Sequence, residues 1–143
     1  MTNEFINDYD EKVIALAKHL GIDLEPEIDK SMNEEEKQEA IQEVIDELES
    51  IVNTYNTTYS YYREEYIVCT DEEADSLMDD ALENYIDEVI LSEIPEPYRN
   101  YFDNEGWKKD AKDDGRGHAL ATYDGEENEE EVNGTTYYIY RTN

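Results

Sequence analysis

The chain has 143 residues, of which 40 are acidic and 11 are basic, so its formal net charge is −29. Such a surface repels polyanions, which argues against an enzyme that acts on nucleic acid and against direct binding of nucleic acid. Hydrophobic residues make up 38% of the chain, which excludes disorder as a description of the whole, and the single cysteine excludes an internal disulfide.

The first predicted element is a helix over residues 3–20. Its apolar residues recur at spacings of three and four and form one stripe: Phe5, Tyr9, Val13, Leu16 and Leu20. Gly21 is expected to end the helix, and residues 22–32, broken by Pro26, are expected to form a linker. This pattern predicts an N-terminal helix and linker over residues 1–30 and a main acidic domain over residues 31–143, with one single domain over 1–143 as the alternative.

The second predicted element is a helix that begins after Asn33. Asn33 and Glu36 have the spacing of an N-cap residue and its reciprocal carboxylate, and an apolar pattern continues the helix to about Tyr55. The residues of this apolar face are Ile41, Val44, Ile45, Leu48, Ile51, Val52 and Tyr55. Residues 59–69 are aromatic and β-branched, which favours a strand.

A third helix is predicted from the capping-box spacing of Thr70 and Glu73, and it extends to about Leu91. Its expected core face consists of Leu77, Met78, Ala81, Leu82, Tyr85, Ile86, Val89 and Ile90. Pro95 and Pro97 are expected to end this element, because proline does not continue a helix.

The remaining elements are shorter. The sequence predicts a helix over residues 102–112, a turn at Gly115, and strands over residues 118–123 and 135–141. The last strand is entered through Asn133-Gly134, a favoured hairpin dipeptide. Together these elements predict an α+β fold in which acidic helices pack on a small antiparallel sheet of about three to four strands.

Carboxylates follow one face of the second and of the third predicted helix. The second-helix ladder consists of Glu36, Glu39, Glu43, Asp46 and Glu47, and the third-helix ladder consists of Asp75, Asp79, Asp80, Glu83 and Asp87. Carboxylates four residues apart repel each other by a few tenths of a kcal/mol. Basic residues at compensating positions of the same helices are nearly absent, so neutralising the third-helix ladder is expected to leave the fold at least as stable.

The net charge is comparable to that of a short DNA duplex. B-DNA carries about one charge per 1.7 Å of axis, so a charge of −29 corresponds to about 14 base pairs. A compact chain of this length has a radius of gyration of about 14 Å. The two ladders are therefore predicted to bind the basic surface of a protein that ordinarily binds DNA. A merely solvated helix face and adaptation to high salt are alternative explanations of the same charge.

Signals of an active site, a metal site or a cofactor site are poor in this sequence. Residues 124–131 are acidic, but the calcium-loop spacing fails because Glu129 stands where glycine is required. His19 and His118 lack metal-ligand spacing, and Cys69 is expected to be a buried thiol. We therefore expect no enzyme activity, no metal and no cofactor, with a metal-dependent hydrolase as a third alternative.

Residues 93–110 resemble a segment of ArdA-type antirestriction proteins, which reads approximately Leu-Pro-Glu, then Tyr-Phe-Asp-Tyr-Glu, an aromatic residue and Arg-Asp. The residues that match in kind are Ile94-Pro95-Glu96, Tyr101-Phe102-Asp103, Glu105, Trp107 and Lys109-Asp110. The likeness covers about 18 residues of the chain. It implies a DNA mimic that occupies the DNA channel of a restriction or CRISPR enzyme.

The charge and this resemblance lead to the same hypothesis. We expect a phage or mobile-element inhibitor of a host DNA-binding defence complex, acting in the host cytoplasm and binding neither nucleic acid nor membrane itself. An acidic adaptor or chaperone for basic nucleoid-type proteins is the alternative. The oligomeric state is left open, with a homodimer as one alternative.

Overall fold

The structure is a computed structural model that describes residues 8–26 and 30–143. Its helices are α1 (Glu11–His19), α2 (Glu34–Glu49), α3 (Asp71–Tyr85), α4 (Leu91–Glu93), α5 (Asn104–Lys112) and α6 (Arg116–Leu120). A π-helical turn (Ile86–Ile90) joins α3 to α4, and a 3-10 helix (Glu96–Tyr101) precedes α5. The strands are β1 (Ile51–Tyr55), β2 (Thr58–Tyr61), β3 (Glu64–Cys69), β4 (Asn128–Val132) and β5 (Thr135–Arg141). None of the helices in the described ranges combines the length and the apolar character that crossing a membrane requires.

The predicted α+β fold is confirmed, and its sheet is slightly larger than expected. Five strands form one antiparallel sheet in the order β1-β2-β3-β5-β4. One face of the sheet shares a core with α1 and α2, which includes Leu16, Leu48 and Ile139. The other face packs against α3 and α6 around Cys69 and Tyr140. The fold therefore has three layers, with α2 and α3 on opposite sides of the sheet.

Helix α1 begins later than predicted and ends where predicted. Asp10 caps it by accepting a hydrogen bond from the backbone of Lys12, so residues 8–10 precede the helix, and residues 3–7 of the prediction lie outside the described residues. The end at Gly21 is confirmed, since this residue has a φ of +78° and donates to the carbonyl of Lys18. Ile22 donates to Ala17, which completes the hydrogen-bond pattern of a Schellman motif.

Helix α2 begins at its predicted cap, but the predicted end at Tyr55 is wrong. The helix stops at Glu49, and residues 51–55 form β1. The apolar residues after Leu48 keep helical spacing, yet in the strand only Ile51 is buried, while Val52 is 50% and Tyr55 is 73% exposed. The hairpin of β1 and β2 turns at Asn56, whose φ is +45°. This pairing outweighs the helical pattern.

Helix α3 confirms the capping box of Thr70 and Glu73 and continues through the π-helical turn to Glu93. The core side of this helix is narrower than predicted. Tyr85 is 49% exposed and stacks on Trp107 of α5, with ring centroids 5.6 Å apart, and Val89 is also exposed. Helix α5 lies within the predicted range of residues 102–112 and is capped by Asp103.

Two strand predictions need correction. Residues 59–69 form two strands, because the chain turns at Tyr62, whose φ is +56°, without the glycine or proline that usually marks a turn. Residues 118–123 do not form a strand. Residues 116–120 form α6, which begins after Gly115, and Leu120 is buried in the core beside α3.

The C-terminal hairpin contains β4, a strand that the sequence did not predict. The Asn133-Gly134 turn and β5 are confirmed, with φ values of +50° and +84° at the turn. The partner strand β4 consists mainly of acidic residues, for which the sequence predicted no strand. It lies at the edge of the sheet, where charged side chains are tolerated and discourage pairing with another chain.

Carboxylates accept hydrogen bonds from the hydroxyl groups of tyrosines in and around the core. Tyr59 donates to Asp10 (3.4 Å), Tyr61 to Glu47 (2.6 Å), Tyr66 to Glu64 (2.5 Å), Tyr137 to Glu11 (2.7 Å) and Tyr140 to Glu127 (3.0 Å). These bonds satisfy polar groups that would otherwise be costly to bury. A carboxylate also disfavours an ionised phenol beside it. The fold thus depends on neutral tyrosines.

We expect this dependence to cause unfolding at alkaline pH. Burial, together with a neighbouring carboxylate, raises the pKa of Tyr59 and of Tyr137 to about 12, and the hydrogen bond to Glu47 raises the pKa of Tyr61 to about 12. A pKa above the ordinary value of 10.0 contributes stability that is complete below pH 10.0 and is lost as pH rises toward 12. Circular dichroism and phenolate absorbance, measured together, should show loss of structure in this interval. Full ionisation of all tyrosines near pH 10 with the fold intact would contradict this expectation.

Candidate partner-binding surface

The third-helix ladder faces other elements of the same chain along much of its length. Asp75 forms an ion pair with Arg116 (3.2 Å), and Asp79 forms ion pairs with Lys112 (3.2 Å) and Lys108 (3.6 Å). Glu83 forms an ion pair with Lys108 at 2.5 Å. Asp80 and Asp87, the other two members, are exposed, and no cation of the described residues lies within ion-pair distance of either. The structure thus divides this ladder into a paired part and an unpaired part.

The paired part holds α5 and α6 against α3. Lys108 is only 7% exposed, and its pKa is raised, mainly by its hydrogen bond to Glu83. The pKa of Asp79 is lowered, mainly by the hydrogen bond from Lys112. Carboxylates that compensate nearly buried cations of their own chain are committed to the fold. They are poorly suited to release those cations for a partner.

Arg116 makes the densest of these connections. Its guanidinium contacts Asp71 (2.7 Å), Asp75 (3.2 Å) and Glu127 (2.5 Å), and lies 4.4 Å from the ring centroid of Tyr138. It therefore links α3 to the segment before β4 and to β5. Part of the acidic run at residues 124–131 is thereby neutralised, and residues 128–131 of that run belong to β4.

Residue spacing within α3 does not predict these ion pairs, because their cations lie on α5 and α6. The compensating cations come 25 or more residues later in the chain, on elements that fold back onto α3. The sequence does contain one feature that points to these ion pairs. Four of the 11 basic residues fall between positions 108 and 116, which is a local concentration in so acidic a chain: Lys108, Lys109, Lys112 and Arg116.

The second-helix ladder differs because its carboxylates have almost no cations beside them. Glu36, Glu39, Glu43 and Asp46 are exposed, and Glu47 is partly buried. Within residues 8–26 and 30–143, the one cation paired with an α2 carboxylate is Lys37, which contacts Glu34 at 3.7 Å. Residues 1–7 and 27–29 contain no lysine or arginine. The negative charge of α2 is therefore left for solvent or a partner.

The charge density of α2 matches that of a DNA strand. The helix contains eight acidic residues and one lysine in 16 residues. At a rise of 1.5 Å per residue it is about 24 Å long, so it carries about one net negative charge per 3.4 Å. Phosphates along one strand of B-DNA have an axial spacing of about 3.4 Å. The likeness is one of charge per length, and on this ground a protein surface that attracts a DNA strand is expected to attract α2.

Metal-ligand clusters and reactive thiols are the other kinds of site that acidic and cysteine side chains can form. In residues 8–26 and 30–143, no group of three or more histidine, cysteine, aspartate or glutamate side chains is arranged to hold a metal ion. Cys69 is completely buried, and burial raises the pKa of its thiol to about 12. A thiol in this state is a poor nucleophile.

Comparison with known proteins does not identify a relative. No protein-family model, no curated protein and no solved structure matches the chain. Residues 93–110 run from the last residue of α4 through the 3-10 helix into α5, and Trp107 in this segment stacks on Tyr85. The charge and geometry described above are thus the grounds for a functional proposal.

Proposed function

We propose that this protein is a DNA mimic that inhibits a DNA-binding host defence system of the restriction–modification or CRISPR–Cas class. The single observation that carries this proposal is the negative charge of α2, which has almost no compensating cation among the described residues and whose amount per length of helix is close to that of a DNA strand. The net charge of −29 and the short resemblance to ArdA-type proteins support the same class of function. The protein would act in the host cytoplasm, as a phage or mobile-element product.

The proposed mechanism is competition for a surface. Arginine and lysine side chains that hold phosphates in the target would form charge-assisted hydrogen bonds with the carboxylates of the second-helix ladder. DNA and the inhibitor cannot neutralise the same cations at the same time. No chemical step is needed, because occupancy alone excludes DNA.

Affinity capture tests this proposal against its alternative. The tagged protein is incubated with nuclease-treated host lysate, and the retained proteins are identified by mass spectrometry. We expect a restriction or Cas complex to be retained and to be released by added duplex DNA. Retention of histone-like nucleoid proteins instead would favour the acidic adaptor or chaperone and would contradict the proposal.

We expect the complex with the target to weaken steeply as salt is added. The Debye length falls from about 10 Å at 0.1 M salt to about 3 Å at 1 M, so a contact built from many charge pairs is strongly screened. The dissociation constant, measured by biolayer interferometry across this range, should rise by at least about 100-fold. A constant that stays flat would show that apolar contacts dominate and that the second-helix ladder only keeps the protein in solution.

A further inference from the structure

A groove lies between α2 and the segment that follows α1. Its volume is about 590 Å³, and Leu20, Ile22, Val44 and Tyr61 supply its apolar and aromatic lining. Glu43, Asp46 and Glu47 of the second-helix ladder line the same groove. Apolar surface and carboxylates thus meet at one concave place on α2.

Two of these carboxylates are held in position by neutral donors. The hydroxyl of Tyr61 donates to Oε2 of Glu47 at 2.6 Å, and the amide of Gln42 donates to Oδ1 of Asp46 at 2.8 Å. Each carboxylate can accept about four hydrogen bonds, so both keep capacity for a further donor. Among the residues that the structure describes, no lysine or arginine lines the groove. The groove therefore has oriented acceptors and an uncompensated negative charge.

We propose that this groove binds one arginine side chain of the target protein, an inference that rests on the function proposed above. The aliphatic stem of arginine would cover Leu20, Ile22 and Val44, as long charged side chains commonly do with apolar surface. The planar guanidinium can stack on an aromatic ring and donate in pairs to carboxylates, whereas the lysine ammonium is a compact point charge. Tyr61 and the neighbouring carboxylates offer both kinds of contact, so arginine fits this groove better than lysine.

Nuclear magnetic resonance titration of the full chain with argininamide, and separately with lysinamide, tests this proposal without the target. We expect saturable shift changes concentrated at Ile22, Val44 and Tyr61, with argininamide binding at least about fivefold more tightly. The variant E43Q/D46N should weaken argininamide binding by about tenfold or more. The matched control D80N/D87N, which removes the same charge from α3 and from the π-helical turn that follows it, should change it by less than about twofold.

The contrary result is equally clear. Equal affinity for the two probes, shift changes spread over both acidic helices, or equal losses in the two variants would show ordinary counterion attraction and would overturn the proposed arginine site. This failure is distinguishable from failure of the proposed function. If the arginine test fails but the protein still displaces DNA from a captured defence enzyme, only the arginine site is wrong. If the protein binds argininamide in the groove but displaces no DNA, only the proposed function is wrong.

Discussion

Neutralising four carboxylates of α2 is expected to weaken inhibition of the target by about 100-fold or more. The variant carries Glu36→Gln, Glu39→Gln, Glu43→Gln and Asp46→Asn. These side chains are exposed and have no cation of the described residues beside them, so each is free to contact a partner. A loss of about 0.7 kcal/mol for each of four contacts already gives about 100-fold in affinity. The measurement is the concentration that displaces half of the DNA from the captured enzyme.

The fold of this variant should be unaffected or slightly more stable. The substitutions remove repulsion between carboxylates three and four residues apart. Glutamine at position 36 keeps an oxygen that can accept the hydrogen bond from the Asn33 side chain. A thermal melt should therefore show an unchanged or higher Tm, which separates lost binding from lost structure.

A control variant removes the same charge from α3 and its continuation. It carries Glu72→Gln, Asp80→Asn, Asp87→Asn and Glu88→Gln, four exposed positions. We expect it to weaken inhibition by less than about fivefold, because only bulk charge is lost. Equal losses in the two variants would mean that total charge alone matters, and full activity of the α2 variant would place the binding surface elsewhere.

Neutralising the paired part of the third-helix ladder is expected to lower the stability of the fold, unlike neutralising the α2 carboxylates. The variant Asp79→Asn with Glu83→Gln removes two of the three carboxylates that pair with Lys108, whose side chain is 9% exposed. The third, Glu105, lies 3.9 Å away and its side chain is 88% exposed. A nearly buried cation that keeps only a distant, solvent-exposed partner is destabilising. We expect Tm to fall by about 5–10 °C. This reverses the expectation from the sequence that neutralising this ladder leaves the fold at least as stable.

A third substitution tests whether the charge of Lys108 causes the expected fall in Tm. Adding Lys108→Met to the same background removes the charge while keeping a long apolar side chain, so most of the lost Tm should return. A double variant that melts at the temperature of the unchanged protein would contradict the structural role of these ion pairs. The whole third-helix ladder would then be free to contact a partner.

The parts of the fold that the sequence predicted are those decided by neighbouring residues. The cap at Asn33, the capping box at Thr70, the stop at Gly21 and the hairpin at Asn133-Gly134 each depend on side chains or backbone within a few positions. Each is found in the structure. Residues 51–55 were mispredicted because their apolar spacing suits a helix, while pairing with β2, a tertiary contact, makes them a strand.

The candidate partner-binding surface also has features set by the local sequence and features set by tertiary contacts. The acidity of α2 and α3 can be seen directly in the sequence, but which of the two helices is neutralised cannot. That depends on α5 and α6 folding back so that Lys108 and Arg116 meet carboxylates on α3. The groove beside α2 likewise depends on Tyr61, which reaches Glu47 only through the strand pairing of β1 and β2.

Competition for DNA tests the central claim most directly. The measurement is a gel-shift assay at moderate salt. In one arm a labelled duplex is mixed with the purified protein alone. In the other arm the duplex is mixed with the captured defence enzyme and increasing amounts of the protein. The proposed mimicry predicts that the protein alone leaves the mobility of the duplex unchanged and that it releases the duplex from the enzyme as it is added. Retention of the duplex by the protein alone, or a stable complex of enzyme, duplex and protein together, would contradict it.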